Sequence, residues 1–198
     1  MLDTTMVESK STLEEQMMAR AISNATKARP RCMPNPWVGA VLVSSDGQTF
    51  DGFTQEFGSG HAETVCLNEA GRKAQGATLY VTLEPCSHSG KTGPCVERII
   101  ESRISRVVIG MKDPDRQVCG EGIKSLQNAG VDVVVGVLED LVAEQLAPYV
   151  HHRNTGRPYV ILKIATTLDG KVAAPDGSSQ WITGAQARRE GHKLRAYS

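Results

Sequence analysis

Four residues constrain this chain more than any other feature: His61, Glu63, Cys86 and Cys95. They stand in the runs His61-Ala62-Glu63, Glu84-Pro85-Cys86 and Pro94-Cys95. Imidazole nitrogen and thiolate sulfur suit zinc, and a zinc site that works on a substrate keeps three protein ligands and an open fourth position. His61, Cys86 and Cys95 supply the three. Bound zinc draws the pKa of its water from about 15.7 towards about 7. A carboxylate two residues from the ligand His is placed to take that water's proton and hand it on. Any fold of this chain must therefore bring residues 61–63 against residues 86–95. A structural zinc site would more often show four ligands, in two close pairs, and it would leave Glu63 without a role. The blandest alternative makes the thiols small buried packing groups.

A His-x-Glu followed by Pro-Cys and a second Cys is the pattern of the zinc nucleobase deaminases. One departure is visible: eight residues separate Cys86 from Cys95, where that pattern has two. The longer segment carries His88 and Lys91. With the upstream Pro34-Asn35-Pro36-Trp37-Val38-Gly39, these motifs resemble the deaminase domain of the riboflavin-biosynthesis deaminase/reductase family. The resemblance runs over roughly residues 13–195.

That resemblance implies hydrolytic deamination of a diaminopyrimidinone bearing a ribosylamino 5′-phosphate. Glu63 is then the proton carrier, with one zinc per chain. Asn35, fixed between two prolines, offers an amide donor and acceptor to a pyrimidine edge; a turn role for it stays open. His88 and Lys91 are implied to meet the ribose phosphate. From residue 159 the chain resembles the opening of the family's reductase half. There Lys163, Ser179 and Arg195 match substrate positions, and Ala165 and Trp181 match cofactor positions. Some forty residues fall short of a nicotinamide-binding domain, so NADPH is expected only with a complete reductase domain. Two departures stand out: Thr54 where the family usually has a second His, and Gly93 where it usually has Pro.

Composition narrows the partners. Lys and Arg number 22 against 22 Asp and Glu, so no basic surplus recommends a nucleic acid. No apolar run approaches the ~18–20 residues of a membrane span, and the first twelve residues lack a signal-peptide core. Five cysteines, an odd number, favour a reducing compartment over a disulfide framework, and a cytoplasmic location follows as the expectation. Cys32, Cys66 and Cys119 read as packing residues. The expected partner is a small-molecule substrate, with no nucleic acid and no membrane; a homo-oligomer is compatible with the sequence.

Read in order, residues 1–10 are polar and expected to be flexible. Ser11 and Glu14 suggest a capping box opening a helix to about residue 27. Strands are expected at 37–43 and 49–54 about the Asp46-Gly47 turn. A helix at 61–74, a strand at 78–83 and a helix at 95–102 follow. Next come a strand at 106–111, a helix at 122–129, a strand at 131–137 and a helix at 139–146. Asp113-Pro114-Asp115 is a loop near the site's edge or a plain turn. Alternation after an initial hairpin predicts a three-layer α/β/α domain of cytidine-deaminase type with a mixed sheet. The division expected is a deaminase domain at 11–148, a solvated linker at 149–158, and the start of a second, dihydrofolate-reductase-like α/β domain at 159–198. In that last part a strand is expected at 159–164 and a helix at 184–195, capped by Thr183.

Two other functions stay open. A free nucleobase or nucleoside deaminase would share the zinc chemistry but has no use for His88 and Lys91 as phosphate partners. A non-catalytic zinc-stabilised scaffold would leave Glu63 idle.

Overall fold

Helix α1 (Leu13–Ala28) begins at Thr12, in a computed structural model that describes residues 11–29, 31–87, 93–115 and 118–197. The Thr12 hydroxyl accepts from the Glu15 amide at 3.2 Å, and the Glu15 carboxylate accepts from the Thr12 amide at 2.7 Å. This capping box lies one residue beyond the one expected on Ser11 and Glu14. Two adjacent hydroxyl residues compete for the cap, and Glu14 is drawn away by Arg106, 2.5 Å from it. Met18, Ala21, Ala25 and Ala28 form the helix's buried face. The expected flexible segment 1–10 lies outside the described residues.

Strand β1 (Gly39–Val43) pairs antiparallel with β2 (Thr49–Phe53) and, on its other side, with β3 (Thr78–Leu83). Strands β4 (Arg106–Met111) and β5 (Asp132–Val135) extend the sheet in parallel. The order is β2-β1-β3-β4-β5, the mixed sheet the sequence predicts. Helices α1 and α5 (Glu139–Gln145) cover one face, and α2 (Ala62–Ala70), α3 (Cys95–Glu101) and α4 (Glu121–Asn128) cover the other. Val107, Val108 and Ile109 are all fully buried, as an unbroken apolar run requires when a parallel strand is covered on both faces. Gly39 lets α1 lie directly on the sheet: a Cβ there would fall 1.9 Å from the Ala21 carbonyl oxygen.

The β3–β4 pairing runs past the strand ends. The Glu84 amide donates to the Met111 carbonyl at 3.0 Å, so Pro85 and Cys86 leave the sheet beside the carboxyl end of β4. The carboxyl ends of parallel strands are where open α/β sheets hold ligands.

Two expectations need correction. Residues 149–158, expected as a solvated linker, are mostly helical: helix α6 (Ala147–Thr155) runs through most of them, with Pro148 at its start and Gly156 closing it at φ 68°. No residue of α6 is fully buried, so it shows no apolar stripe in the sequence; Tyr149 and Val150 nonetheless rest on the core. The second correction concerns residues 158–198, a compact unit of their own. No strand forms at 159–164, and Val160 and Leu162 are 82% and 80% exposed. A strand needs a neighbour for its N–H and C=O groups, and among the described residues of this unit none is supplied. Helix α7 (Ala185–Ala196) does form, with Gly184 rather than Thr183 at its start; the Thr183 carbonyl instead accepts from Arg188. Among the described residues no helix is long and apolar enough to cross a membrane.

Candidate metal centre and active site

Three chain segments deliver the metal-binding atoms. His61 is the N-cap of α2, Cys86 lies just past β3, and Cys95 opens α3. His61 Nδ1 is 3.2 Å from Cys95 Sγ and 3.6 Å from Cys86 Sγ, and the ligand atoms of all three lie within 4.8 Å of one another. Zinc bound tetrahedrally at about 2.0–2.1 Å from nitrogen and about 2.3 Å from sulfur requires an N···S edge of about 3.5 Å. The observed distances match that edge, so the residues present fit the ion. The Cys95 amide donates to Cys86 Sγ at 3.4 Å, the type of hydrogen bond that orients a metal-binding thiolate.

Glu63, on the first turn of α2, is 4% exposed. It lines a cavity of about 150 Å³ together with His61, Cys86 and Asn35. Asn35 is held by its backbone: its amide donates to the Cys32 carbonyl at 2.9 Å, and its own carbonyl accepts from the Cys32 thiol at 3.4 Å. Burial pushes the Glu63 carboxyl above the usual carboxylate range. Cys86 is drawn down to about 4, first by the hydrogen bond from the Cys95 thiol, while Cys95 is driven up as the partner that keeps the shared proton. His61 rises to about 8, mainly through its hydrogen bond to Cys86. Zinc takes both cysteines as thiolates and the imidazole in its neutral form, so binding at this site would release the protons that Cys95 and His61 hold without it.

Thr54 lines the same cavity and is 3% exposed. Its hydroxyl accepts from the Val38 amide at 3.1 Å and donates to the Val38 carbonyl at 3.4 Å, so it is spent on the backbone. His88 and Lys91 lie outside the described residues. Of the reductase-half positions, Ser179 and Trp181 share a second hollow with Thr167, Asp169 and Lys171. Lys163, Ala165 and Arg195 do not line it. Lys163 lies near Gly191, and Arg195 stands 3.3 Å from His192 Nδ1.

The sequence did not single out Glu84, Tyr149 and Arg153, and it left Asp113 and Asp115 open between site edge and turn; all five line the cavity. The Glu84 carboxylate accepts from the amides of Asp113, Gly120 and Ile123 at 3.2, 2.9 and 3.2 Å, closing the floor of the site. Its adjacency to Pro85-Cys86 was the available signal. Tyr149 and Arg153, four residues apart, share a face of α6, a spacing legible only once the helix is known.

The region that family models describe as the cytidine and deoxycytidylate deaminase zinc-binding region matches residues 11–111. The chain belongs to that family. Residues 158–198 match the RibD C-terminal domain. Riboflavin biosynthesis protein RibD of Escherichia coli is 45% identical over 93% of this chain and 50% of its own length. A diaminohydroxyphosphoribosylaminopyrimidine deaminase/5-amino-6-(5-phosphoribosylamino)uracil reductase of Thermotoga maritima is 44% identical, with a TM-score of 0.86 over 92% of this chain and 52% of that one. The Aspergillus oryzae Rib2 deaminase in complex with DARIPP is 28% identical, with a TM-score of 0.57 over 71% of this chain and 93% of that one. The riboflavin-biosynthesis kinship and the cytidine-deaminase-like fold read from the motifs are therefore borne out, and the zinc-binding domain carries His61, Cys86 and Cys95 as a group able to hold the ion. The chain spans about half the length of the curated relatives it matches.

Proposed function

We propose that the first unit hydrolyses the exocyclic amine of diaminohydroxyphosphoribosylaminopyrimidine, giving 5-amino-6-(5-phosphoribosylamino)uracil and ammonia, a step of riboflavin biosynthesis. The observation that carries the reading is the buried Glu63 carboxylate in one cavity with two of the three zinc ligands, His61 and Cys86. Zinc held by His61, Cys86 and Cys95 would supply Lewis acidity, lowering the pKa of the attacking water towards neutrality. Glu63 takes a proton from the attacking water and passes it to the ring nitrogen next to the reacting carbon; it then takes the second proton, from the hydroxyl now on that carbon, and delivers it to the departing amine. The Asn35 amide meets the pyrimidine edge with a donor and an acceptor. His88 and Lys91 meet the phosphate.

The second unit, residues 158–198, is the opening of a reductase domain. In this reading Lys163, Ser179 and Arg195 face that domain's substrate, and Ala165 and Trp181 face NADPH, once the remainder of the domain is present. The polar pair His151-His152 belongs to α6 of the first unit.

A substrate panel tests the assignment. The zinc-loaded chain is expected to show its highest kcat/KM for ammonia release with the phosphoribosylamino pyrimidine. Cytosine, cytidine, guanine and deoxycytidylate are expected to be poor substrates. A higher kcat/KM for a free base or a nucleoside would reassign the enzyme.

A further inference from the structure

One wall of the cavity is built where the chain leaves β4 and meets α6. Asp113 is 6% exposed, and burial raises its carboxyl above the usual range. It accepts from the Tyr149 hydroxyl at 2.9 and 3.2 Å and from the Asp115 amide at 2.8 Å. The guanidinium of Arg153 lies over the Tyr149 ring, 5.1 Å from its centroid, and its Nε is 3.3 Å from Asp115 Oδ2. All four residues line the cavity that holds His61 and Glu63, and among the described residues Arg153 is the one Lys or Arg that does so.

We infer that Arg153 is a specificity-determining residue that adds a guanidinium contact to the substrate's phosphoryl group at this wall of the cavity while the pyrimidine ring lies at Glu63. The inference rests on the deaminase reading above. A guanidinium carries five N–H donors in a planar fork matched to phosphate oxygens, more than one carboxylate oxygen engages. Neither Glu84, with its three backbone amides, nor Asp113, with Tyr149 and the Asp115 amide, competes for Arg153. Among the described residues Asp115 is the carboxylate that engages Arg153, and a phosphate dianion displaces or joins it. Tyr149 is a positioning residue: its hydroxyl, fixed on Asp113, holds the ring on which the guanidinium lies. A long side chain would otherwise lose rotamer freedom on binding.

The test uses the full zinc-loaded chain as wild type, Arg153→Ala and Arg153→Lys. Arg153→Ala is expected to raise KM for the phosphorylated substrate about tenfold or more, leaving kcat and the dephosphorylated analogue unchanged. Arg153→Lys is expected to recover part of the loss, since it keeps the charge but not the fork. Ribose 5-phosphate binding, followed by calorimetry, reads the contact without turnover and is expected to weaken by a similar factor in Arg153→Ala. Equal losses on both substrates, or unchanged ribose 5-phosphate binding, would overturn the inference. Failure of the deaminase reading looks different: the wild type would release no ammonia, while ribose 5-phosphate would still bind more weakly to Arg153→Ala.

Discussion

The backbone N–H of Cys95 points at Cys86 Sγ across 3.4 Å, and the next amide, that of Val96, donates to the Cys86 carbonyl at 3.2 Å. These two bonds join the exit of β3 to the start of α3 and set the distance between the thiols from both ends. The eight residues between the cysteines therefore do not set the ligand spacing. His61 completes the set because α2 begins against the same junction, with Glu63 one half-turn further on.

Replacing Cys86 or Cys95 with Ala is expected to abolish stoichiometric zinc and to lower the thermal midpoint, because metal affinity at such a site contributes directly to folding. Metal analysis of the purified variants decides the matter. A full zinc complement in either one would remove that cysteine from the ligand set.

Glu63→Gln keeps the shape of the side chain and leaves the ligands in place. Zinc content and unfolding midpoint should stay near wild type, while ammonia release falls on the order of 10²–10⁴-fold. Turnover close to wild type would assign the proton transfers to another group.

Glu84 accepts three backbone amides in a buried position. Glu84→Ala strands those donors, a loss of about 3 kcal/mol or more, seen as a lower urea midpoint at unchanged slope. Glu84→Gln, which keeps one acceptor oxygen, should lose less. A midpoint unchanged in Glu84→Ala would show that water replaces the carboxylate at no cost.

Asp113 gives a pH signature. Its folded pKa lies above the unfolded value of about 3.9 because burial disfavours the charged form. Its contribution to stability is thus fully present below the unfolded value and is lost as pH rises through the raised folded value. Asp113→Asn, which stays neutral, should lack this loss. Urea midpoints compared on either side of the ordinary carboxylate range should therefore fall less in the variant as pH rises. Parallel profiles would show that Asp113 ionises normally.

The metal site was legible because zinc admits few residue types and because His61 and Glu63 are close in sequence. The central strands were legible too, since Leu79–Val81 and Val107–Ile109 are apolar runs covered on both faces. Less visible was whatever depends on partners distant in the chain. The α1 cap slipped by one residue because Glu14 is taken by Arg106, 92 positions away. Helix α6 carries its role in the polar contacts of Tyr149 and Arg153 with Asp113 and Asp115, which no apolar periodicity announces. The apolar run at 159–164 has strand composition, but composition does not supply the neighbouring strand that its backbone needs.

Ammonia release from the diamino phosphoribosylamino pyrimidine, followed before and after zinc removal by a chelator, tests the central claim most directly. The account expects release by the zinc-loaded chain, its loss on chelation and its return when zinc is restored. Release that persists in the metal-free chain, or none from a chain carrying a full complement of zinc, would contradict it.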